Sequence, residues 1–276
     1  MPTTSRLGSS HQSTSQRESE LGPATFLARM GVCPHDHGNP ASYDRTMDEK
    51  PTRRTGRVST EALGIVAMTL VPAQQVLVFV FLVIQPDRPL SDADSLYALG
   101  TLGWLWRAGA FATGLGVVVL AWGLRRSLAR GQRVRLALTT MILGGLAVIG
   151  TGGFPTDPPR PDGTVGYTTG GVLHFIFGIL GLLALLVTVF LLRGVFRRDP
   201  RWSDAVRPTV WLAWWLLAGV ILLFSLPEYS TAAGVTQRLV FVPEAVWAVW
   251  VGLRIRRLGR FGSPATTPGT ASTATT

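Results

Sequence analysis

The chain has 276 residues, of which 47% are hydrophobic, and a formal net charge of +10 at pH 7. The positive charge is nearly all arginine, since Lys50 is the only lysine. It forms no basic stripe interleaved with aromatic residues, so we expect no nucleic-acid partner. We interpret this bias towards arginine, together with abundant alanine, glycine, threonine and valine, as that of a GC-rich bacterial genome.

Six long apolar stretches follow one another along the chain. A helix needs about 20 residues to cross a hydrocarbon core of about 30 Å. The stretches run from Ala62 to Ile84, Gly103 to Leu124, Leu136 to Gly152, Gly171 to Leu192, Pro208 to Leu226 and Thr236 to Leu253. Several lack the polar face that a soluble helix would present to water. We therefore predict an all-α, polytopic integral membrane protein with six transmembrane helices.

The arginine content of the connecting segments alternates between high and low. The rich segments contain Arg53, Arg54 and Arg57; Arg125, Arg126, Arg130, Arg133 and Arg135; Arg193, Arg197, Arg198, Arg201 and Arg207; and Arg254, Arg256, Arg257 and Arg260. The intervening connections carry only Arg88, Arg160 and Arg238. Because arginine-rich connections stay in the cytoplasm, we predict that both termini are cytoplasmic in a bacterial plasma membrane. Membrane lipids, anionic ones especially, are the expected partners; protein partners stay open.

The two ends of the chain differ in composition from its middle. Residues 1–60 and 258–276 are rich in serine, threonine and proline and lack apolar periodicity, so we predict disordered cytoplasmic tails around a transmembrane domain at 61–257. Cys33, His35 and His37 alternate in the first tail. Such side chains can chelate a transition metal, but a structural site usually needs a second ligand pair. We therefore predict no metal site and no cofactor.

One short motif follows the third apolar stretch. The segment from Gly152 to Asp157 reads Gly-Gly-Phe-Pro-Thr-Asp, and His174 opens the next stretch. Together with Pro-Leu-Ser-Asp at 89–92 and the segment 234–239, this order resembles the bacterial membrane family called domain of unknown function 998, from Glu61 to Arg257. Gln237 stands where that family usually has glutamate. The resemblance implies six helices and no established activity.

Asp157 and His174 lie at opposite ends of one predicted outer loop. A carboxylate beside an imidazole suits general base catalysis, metal ligation or a structural tie. The same motif also fits a stiff turn in which Asp157 accepts backbone amide hydrogen bonds. His174 is the only histidine of the predicted membrane domain, so a metal would have to recruit Asp157 together with Asp92, Asp162 or Glu228.

Four further polar residues fall inside apolar stretches. Arg107 and Glu244 are costly in a bilayer, so each is expected to find a partner. They can pair with each other, with Arg238 as competitor. Alternatively Arg107 snorkels to the headgroups, and Pro243 starts its helix late and leaves Glu244 in the first turn. Gln74 and Gln75 follow Pro72, which can leave a carbonyl for one of them, and they suit helix packing or a substrate site.

Three function classes remain open from the sequence. The leading interpretation is an integral membrane protein of uncharacterised function with a polar Asp/His/Arg cluster at the outer face, in which Asp92 takes part. The second is a membrane-embedded hydrolase or lipid-modifying enzyme that uses Asp157 and His174, with Ser91 or Ser225 as nucleophile. The third is a small-molecule or ion permease built on Gln74, Gln75 and Glu244.

Overall fold

The computed structural model describes residues 58–85, 93–158, 166–226 and 230–261. These residues form seven α-helices and two short 3₁₀ helices, and no β-strand occurs among them. The α-helices are α1 (Thr60–Leu70), α2 (Ala73–Ile84), α3 (Gly103–Ser127), α4 (Gln132–Gly153), α5 (Thr169–Phe196), α6 (Val206–Ser225) and α7 (Thr231–Phe261). The 3₁₀ helices are Asp94–Leu99 and Pro200–Ala205.

Five helical segments are long and apolar enough to cross a membrane. They are Thr60–Ile84, which joins α1 and α2, and Gly103–Ser127, Gln132–Gly153, Thr169–Phe196 and Pro200–Ser225. They contain the first five predicted stretches, except for Leu226 at the end of the fifth, so the all-helical membrane architecture is confirmed. The sixth stretch lies in α7, which is not among the five and which contains Arg238, Glu244 and four arginines near its C-terminal end.

The first span is interrupted at Val71 and Pro72, which end α1 and begin α2. Thr113 of α3 lies at this break. Its hydroxyl donates to the Val71 carbonyl oxygen at 3.0 Å and accepts from the backbone N–H of Gln74 at 3.2 Å. We expected Gln74 or Gln75 to donate to a free carbonyl at this break. Thr113 is the donor instead, because α3 passes close to the break.

The helices pack in a closed ring in chain order. The first span packs on α3, each later helix packs on the next, and α7 packs back on α1. The interior is apolar, and the side chains of Leu120, Leu124, Leu192, Phe196 and Ile255 are fully buried in it. In a bilayer, the close van der Waals packing of these side chains and of the helix backbones holds the bundle together.

One end of the ring, which we call the arginine-rich end, contains residues 58–60, 125–135, 193–207 and 254–261. Glu61 of α1 forms ion pairs there with Arg256 at 3.6 Å and with Arg260 at 2.6 Å. At the same contact a Cβ added to Gly64 would lie 2.6 Å from the Gly252 carbonyl oxygen, so α1 and α7 touch backbone to backbone. Residues 258–261, assigned to a tail from the sequence, are helical.

The opposite, arginine-poor end contains residues 93–102, 154–158, 166–168, 226 and 230. The 3₁₀ helix Asp94–Leu99 folds into this end of the ring. Its Tyr97 is fully buried and stacks on Phe81 of α2 with ring centroids 5.4 Å apart. Asp94 is also buried, with 3% of its surface exposed. This connection is therefore part of the packed interior.

Candidate functional site

A cavity of about 360 Å³ lies inside the ring near the arginine-poor end. Helices α2 to α7, the 3₁₀ helix at 94–99 and the α4–α5 connection all contribute to its wall. Most of the wall is apolar, and its polar residues include Gln74, Gln75, Asp94, Thr113, Thr151, Asp157, His174, Gln237 and Glu244. The structure thus brings together residues that the sequence analysis had assigned to three separate hypotheses.

His174 lines the cavity from the second turn of α5. Its Nδ1 atom lies 3.0 Å from the Thr151 carbonyl oxygen and 3.1 Å from that of Phe154, at the end of α4. Carbonyl oxygens only accept hydrogen bonds, so Nδ1 carries the proton and Nε2 of the neutral ring keeps its lone pair. The Trp106 ring lies beside the imidazole, 5.9 Å between centroids. His174 therefore offers the cavity a hydrogen-bond acceptor.

Asp157 organises the start of α5. Its carboxylate accepts from the Thr168 amide at 2.9 Å and from the Thr168 hydroxyl at 2.6 Å. That hydroxyl in turn accepts from the Gly171 amide at 3.1 Å, which caps the helix. As expected, Asp157 accepts a backbone amide hydrogen bond, and the donor is Thr168 at the far end of the connection. His174 and Asp157 share the cavity, but the hydrogen bonds of the imidazole go to backbone carbonyls.

Asp94 and Arg238 form a buried ion pair that joins the α2–α3 connection to α7. Arg238 Nη2 lies 3.3 Å from Asp94 Oδ1, and the two side chains are 8% and 4% exposed. The Asp94 amide also donates to Gln237 Oε1 at 3.0 Å. Burial raises the pKa of Asp94 to about 6, although the Arg238 charge and the Gln75 side chain both lower it.

Asp94 was not among the predicted residues, and Asp92, which was, lies outside the described residues. Asp92 ends the Pro-Leu-Ser-Asp motif and Asp94 lies two positions further on, and no pattern in the sequence identifies Asp94 as the buried one. The identity of the buried carboxylate depends on how the 3₁₀ helix turns into the ring, which is a tertiary property.

Glu244 lies in the interior of α7, which begins at Thr231. The prediction that Pro243 starts the helix late is therefore wrong. Pro243 lacks the amide that would bond to the Leu239 carbonyl, and Trp215 Nε1 of α6 donates to that carbonyl at 2.6 Å instead. The helix continues because α6 replaces the missing donor.

The predicted pair of Arg107 and Glu244 does not form. Among the described residues, neither side chain takes part in an ion pair, and Arg238 pairs with Asp94. Glu244 is half-buried and lines the cavity, whereas Arg107 is half-buried outside its wall. Gln75 is buried, and its Oε1 accepts no hydrogen bond within the described ranges.

The remaining candidates lie elsewhere. The Ser225 hydroxyl donates to the Ile221 carbonyl of its own helix at 2.7 Å and is not part of the cavity wall. The residues Cys33, His35, His37, Arg88, Ser91, Arg160, Asp162 and Glu228 fall outside the described ranges. Within those ranges no three His, Cys, Asp or Glu side chains are grouped so that they could hold a metal ion.

A family model described as "Protein of unknown function (DUF998)" matches residues 57–254. This is the family that the motif around Asp157 and His174 resembles, so that identification is confirmed. Comparisons with curated proteins and with solved structures found no match.

Proposed function

Because the chain belongs to the DUF998 family of proteins of unknown function, we propose a function from its cavity. The chain is a six-span protein of the bacterial plasma membrane that binds a small molecule near the outer leaflet. One observation carries this proposal, namely that polar side chains from five α-helices and the 3₁₀ helix at 94–99 converge on one cavity in a mainly apolar bundle. Polar groups are costly in such surroundings, and a mainly apolar pocket with a few convergent polar groups is typical of a ligand site.

The six-span topology is supported by the position of α7. This helix has 31 residues, about 46 Å at 1.5 Å per residue, which is enough to cross a bilayer. It runs between α6 and α1 from the arginine-poor end to the arginine-rich end. In the described part of the chain only Arg107 and Arg238 lie towards the arginine-poor end, so the positive-inside rule favours cytoplasmic termini.

Binding is favoured over permeation by what lies beyond the cavity. Towards the arginine-rich end the interior is filled by buried Leu124, Phe196 and Trp202. Phe196 and Trp202 stack with centroids 4.8 Å apart. The cavity therefore ends inside the bundle, and the described residues form no polar path through it.

A membrane-embedded hydrolase is the second candidate, because His174 keeps a lone pair at Nε2 that can act as a general base. Binding ranks before hydrolysis for two reasons. The carboxylate of Asp157, the expected partner of His174, accepts hydrogen bonds from the amide and the hydroxyl of Thr168 instead. Ser225, one of the two proposed nucleophiles, bonds to its own helix.

Cysteine labelling tests the proposal in a Cys33→Ser background. Gly178 lines the cavity and Gly194 lies at the arginine-rich end of the same helix. An added Cβ meets no heavy atom within 4 Å at either position. We expect neutral N-ethylmaleimide to modify Gly178→Cys in spheroplasts, and a membrane-impermeant methanethiosulfonate to modify Gly194→Cys only after permeabilisation.

Different results would overturn the two parts of the proposal, which are the ligand-binding cavity and the orientation in the membrane. A Gly178→Cys protein that stays unmodified in spheroplasts and in detergent has no accessible cavity, which overturns the binding proposal. Modification of Gly194→Cys in intact spheroplasts overturns the orientation and leaves the cavity in place.

A further inference from the structure

We propose that the cavity recognises an amphiphile with a protonated amine, which enters from the bilayer between α5 and α6 and places its amine against Glu244. This inference rests on the proposed binding function and names the class of ligand. It depends on three observations: the balance of charge in the wall, the hydrogen-bonding groups that remain there, and the place where the cavity opens.

The cavity wall carries three carboxylates, and neighbouring groups compensate the negative charge of two of them. The lining residues include Asp94, Asp157 and Glu244 but no arginine. Arg238 neutralises Asp94 from behind the wall. Asp157 accepts hydrogen bonds at the N-terminus of α5, where the helix dipole favours negative charge.

Glu244 is the carboxylate without such compensation. It forms no ion pair or hydrogen bond with the described residues, and it lies 13 positions into α7, roughly 20 Å from the start of that helix. An unpaired carboxylate at this depth attracts a cation, because water is scarce there and cannot screen the charge. A ligand that brings a positive charge would supply the missing partner.

His174 adds a hydrogen-bond acceptor to the wall, in addition to the Glu244 carboxylate. Its Nε2 keeps its lone pair because Nδ1 donates to the α4 carbonyls. Gln75 Oε1 and Trp106 Nε1 also have no hydrogen-bond partner within the described ranges, but both atoms are buried behind the cavity surface. A ligand that donates several hydrogen bonds, such as an ammonium group, suits the carboxylate and the imidazole.

We place the opening of the cavity between α5 and α6. Phe175 of α5 and Phe224 of α6 both line the cavity, and they are nevertheless 52% and 54% exposed. Further towards the arginine-rich end the two helices close against each other, where Phe190 and Trp214 meet edge to face at 5.8 Å. Since both helices are apolar spans, the opening faces hydrocarbon, and the ligand carries an apolar part that passes through it.

Protection of a cavity cysteine from modification tests this ligand class. The parent protein carries Cys33→Ser and Gly178→Cys and is placed in nanodiscs of phosphatidylglycerol, a lipid without an amine. We expect decylamine, at about four times its Kd, to slow modification by neutral N-ethylmaleimide roughly fivefold. Decanol, decanoate and the short butylamine at the same concentration leave the rate unchanged.

Two variants locate the amine. Glu244→Gln removes the charge with little change of shape and is expected to abolish protection by decylamine. Glu61→Gln removes a carboxylate at the arginine-rich end, and decylamine is expected to protect this variant as well as it protects the parent. Protection that persists in Glu244→Gln, or that decanol gives equally well, overturns the proposal. If Glu244→Gln does not fold, the comparison of decylamine with decanol on the parent decides.

Two sources can supply the amine, a lipid headgroup or a free amphiphile. Nanodiscs that contain phosphatidylethanolamine distinguish them. Glu244-dependent protection without added decylamine identifies the lipid headgroup, whereas protection by decylamine alone identifies a free amphiphile. Equal protection by butylamine overturns entry from the bilayer. A parent protein that N-ethylmaleimide cannot modify overturns the binding function itself, so failure of the two proposals gives different results.

Discussion

Two prolines interrupt the backbone hydrogen bonding of membrane helices, and at each a neighbouring helix supplies a polar side chain. Thr113 donates a hydrogen bond to the Val71 carbonyl beside Pro72, and Trp215 donates one to the Leu239 carbonyl that Pro243 leaves without a partner. In hydrocarbon no water can take these places. The polar residues that stabilise the prolines are therefore set by which helices touch.

Trp215→Phe removes the donor to Leu239 and keeps an aromatic ring. We expect it to lower the free energy of unfolding by about 1 kcal/mol, the usual effect of one such hydrogen bond in a membrane protein. Trp214→Phe is the matched control, because its edge-to-face contact with Phe190 needs no donor. Unfolding by denaturing detergent, followed by circular dichroism, measures both.

The cause is checked in a Pro243→Ala background. Alanine restores the backbone amide, so the Leu239 carbonyl regains its partner within α7 and Trp215→Phe should cost nothing further. An equal loss in both backgrounds would show that the indole acts by packing alone.

The buried carboxyl of Asp94 gives a pH dependence to stability. Its pKa is raised from 3.8 to about 6, so the folded state holds this proton more tightly than the unfolded state does. The stabilisation is complete below about pH 4 and is lost as the pH rises through about 6. The difference of roughly 2 pKa units corresponds to at most about 3 kcal/mol.

We expect thermal unfolding in detergent to show a falling midpoint across this window in the parent protein and a flatter profile in Asp94→Asn. The slope is the quantity compared, since the variant also leaves Arg238 without its carboxylate. Parallel profiles for the two proteins would contradict the assignment to Asp94.

At the scale of elements, the α4–α5 connection depends on a glycine. A Cβ at Gly171 would overlap the Asp157 carboxylate and push it away from Thr168. We expect Gly171→Ala to destabilise the protein by roughly 2 kcal/mol, through the lost hydrogen bonds and the loosened helix cap. Thermal unfolding in detergent measures this.

Gly178→Ala is the control on the same helix, because an added Cβ meets no atom within 4 Å there. It should be neutral or stabilising by up to about 1 kcal/mol, since alanine favours the helix. Equal losses at the two positions would mean that Asp157 is not the cause.

The motif around Asp157 could be recognised from the sequence, and so could the fact that a turn there places the carboxylate near backbone amides. What could not be predicted is the set of partners. His174 bonds to carbonyls at the end of α4, and Asp94 bonds to Gln237 across 143 residues of chain. Such contacts follow from helix crossings, which leave no local pattern.

At the scale of the whole molecule, the proposed topology predicts the activity of reporter fusions. Alkaline phosphatase, which is active only outside the cytoplasm, should be inactive when fused after Ala129 or Gly262 and active when fused after Pro158. The arginine-rich end then lies inside the cell. Activity after Gly262 would contradict cytoplasmic termini, and inactivity after Pro158 would contradict the outer position of the cavity.

The sequence by itself determined the membrane class, the all-helical architecture and five of the spans, because apolar length and helical geometry are local properties. It also determined the family, through short motifs in a fixed order. Only the tertiary structure decided that Gln75, His174 and Glu244 share one cavity, that Arg238 pairs with Asp94 instead of Glu244, and that Pro243 lies inside a continuous helix. These facts depend on the order of helices around the ring and their rotation about their axes, which the hydropathy of each segment does not encode.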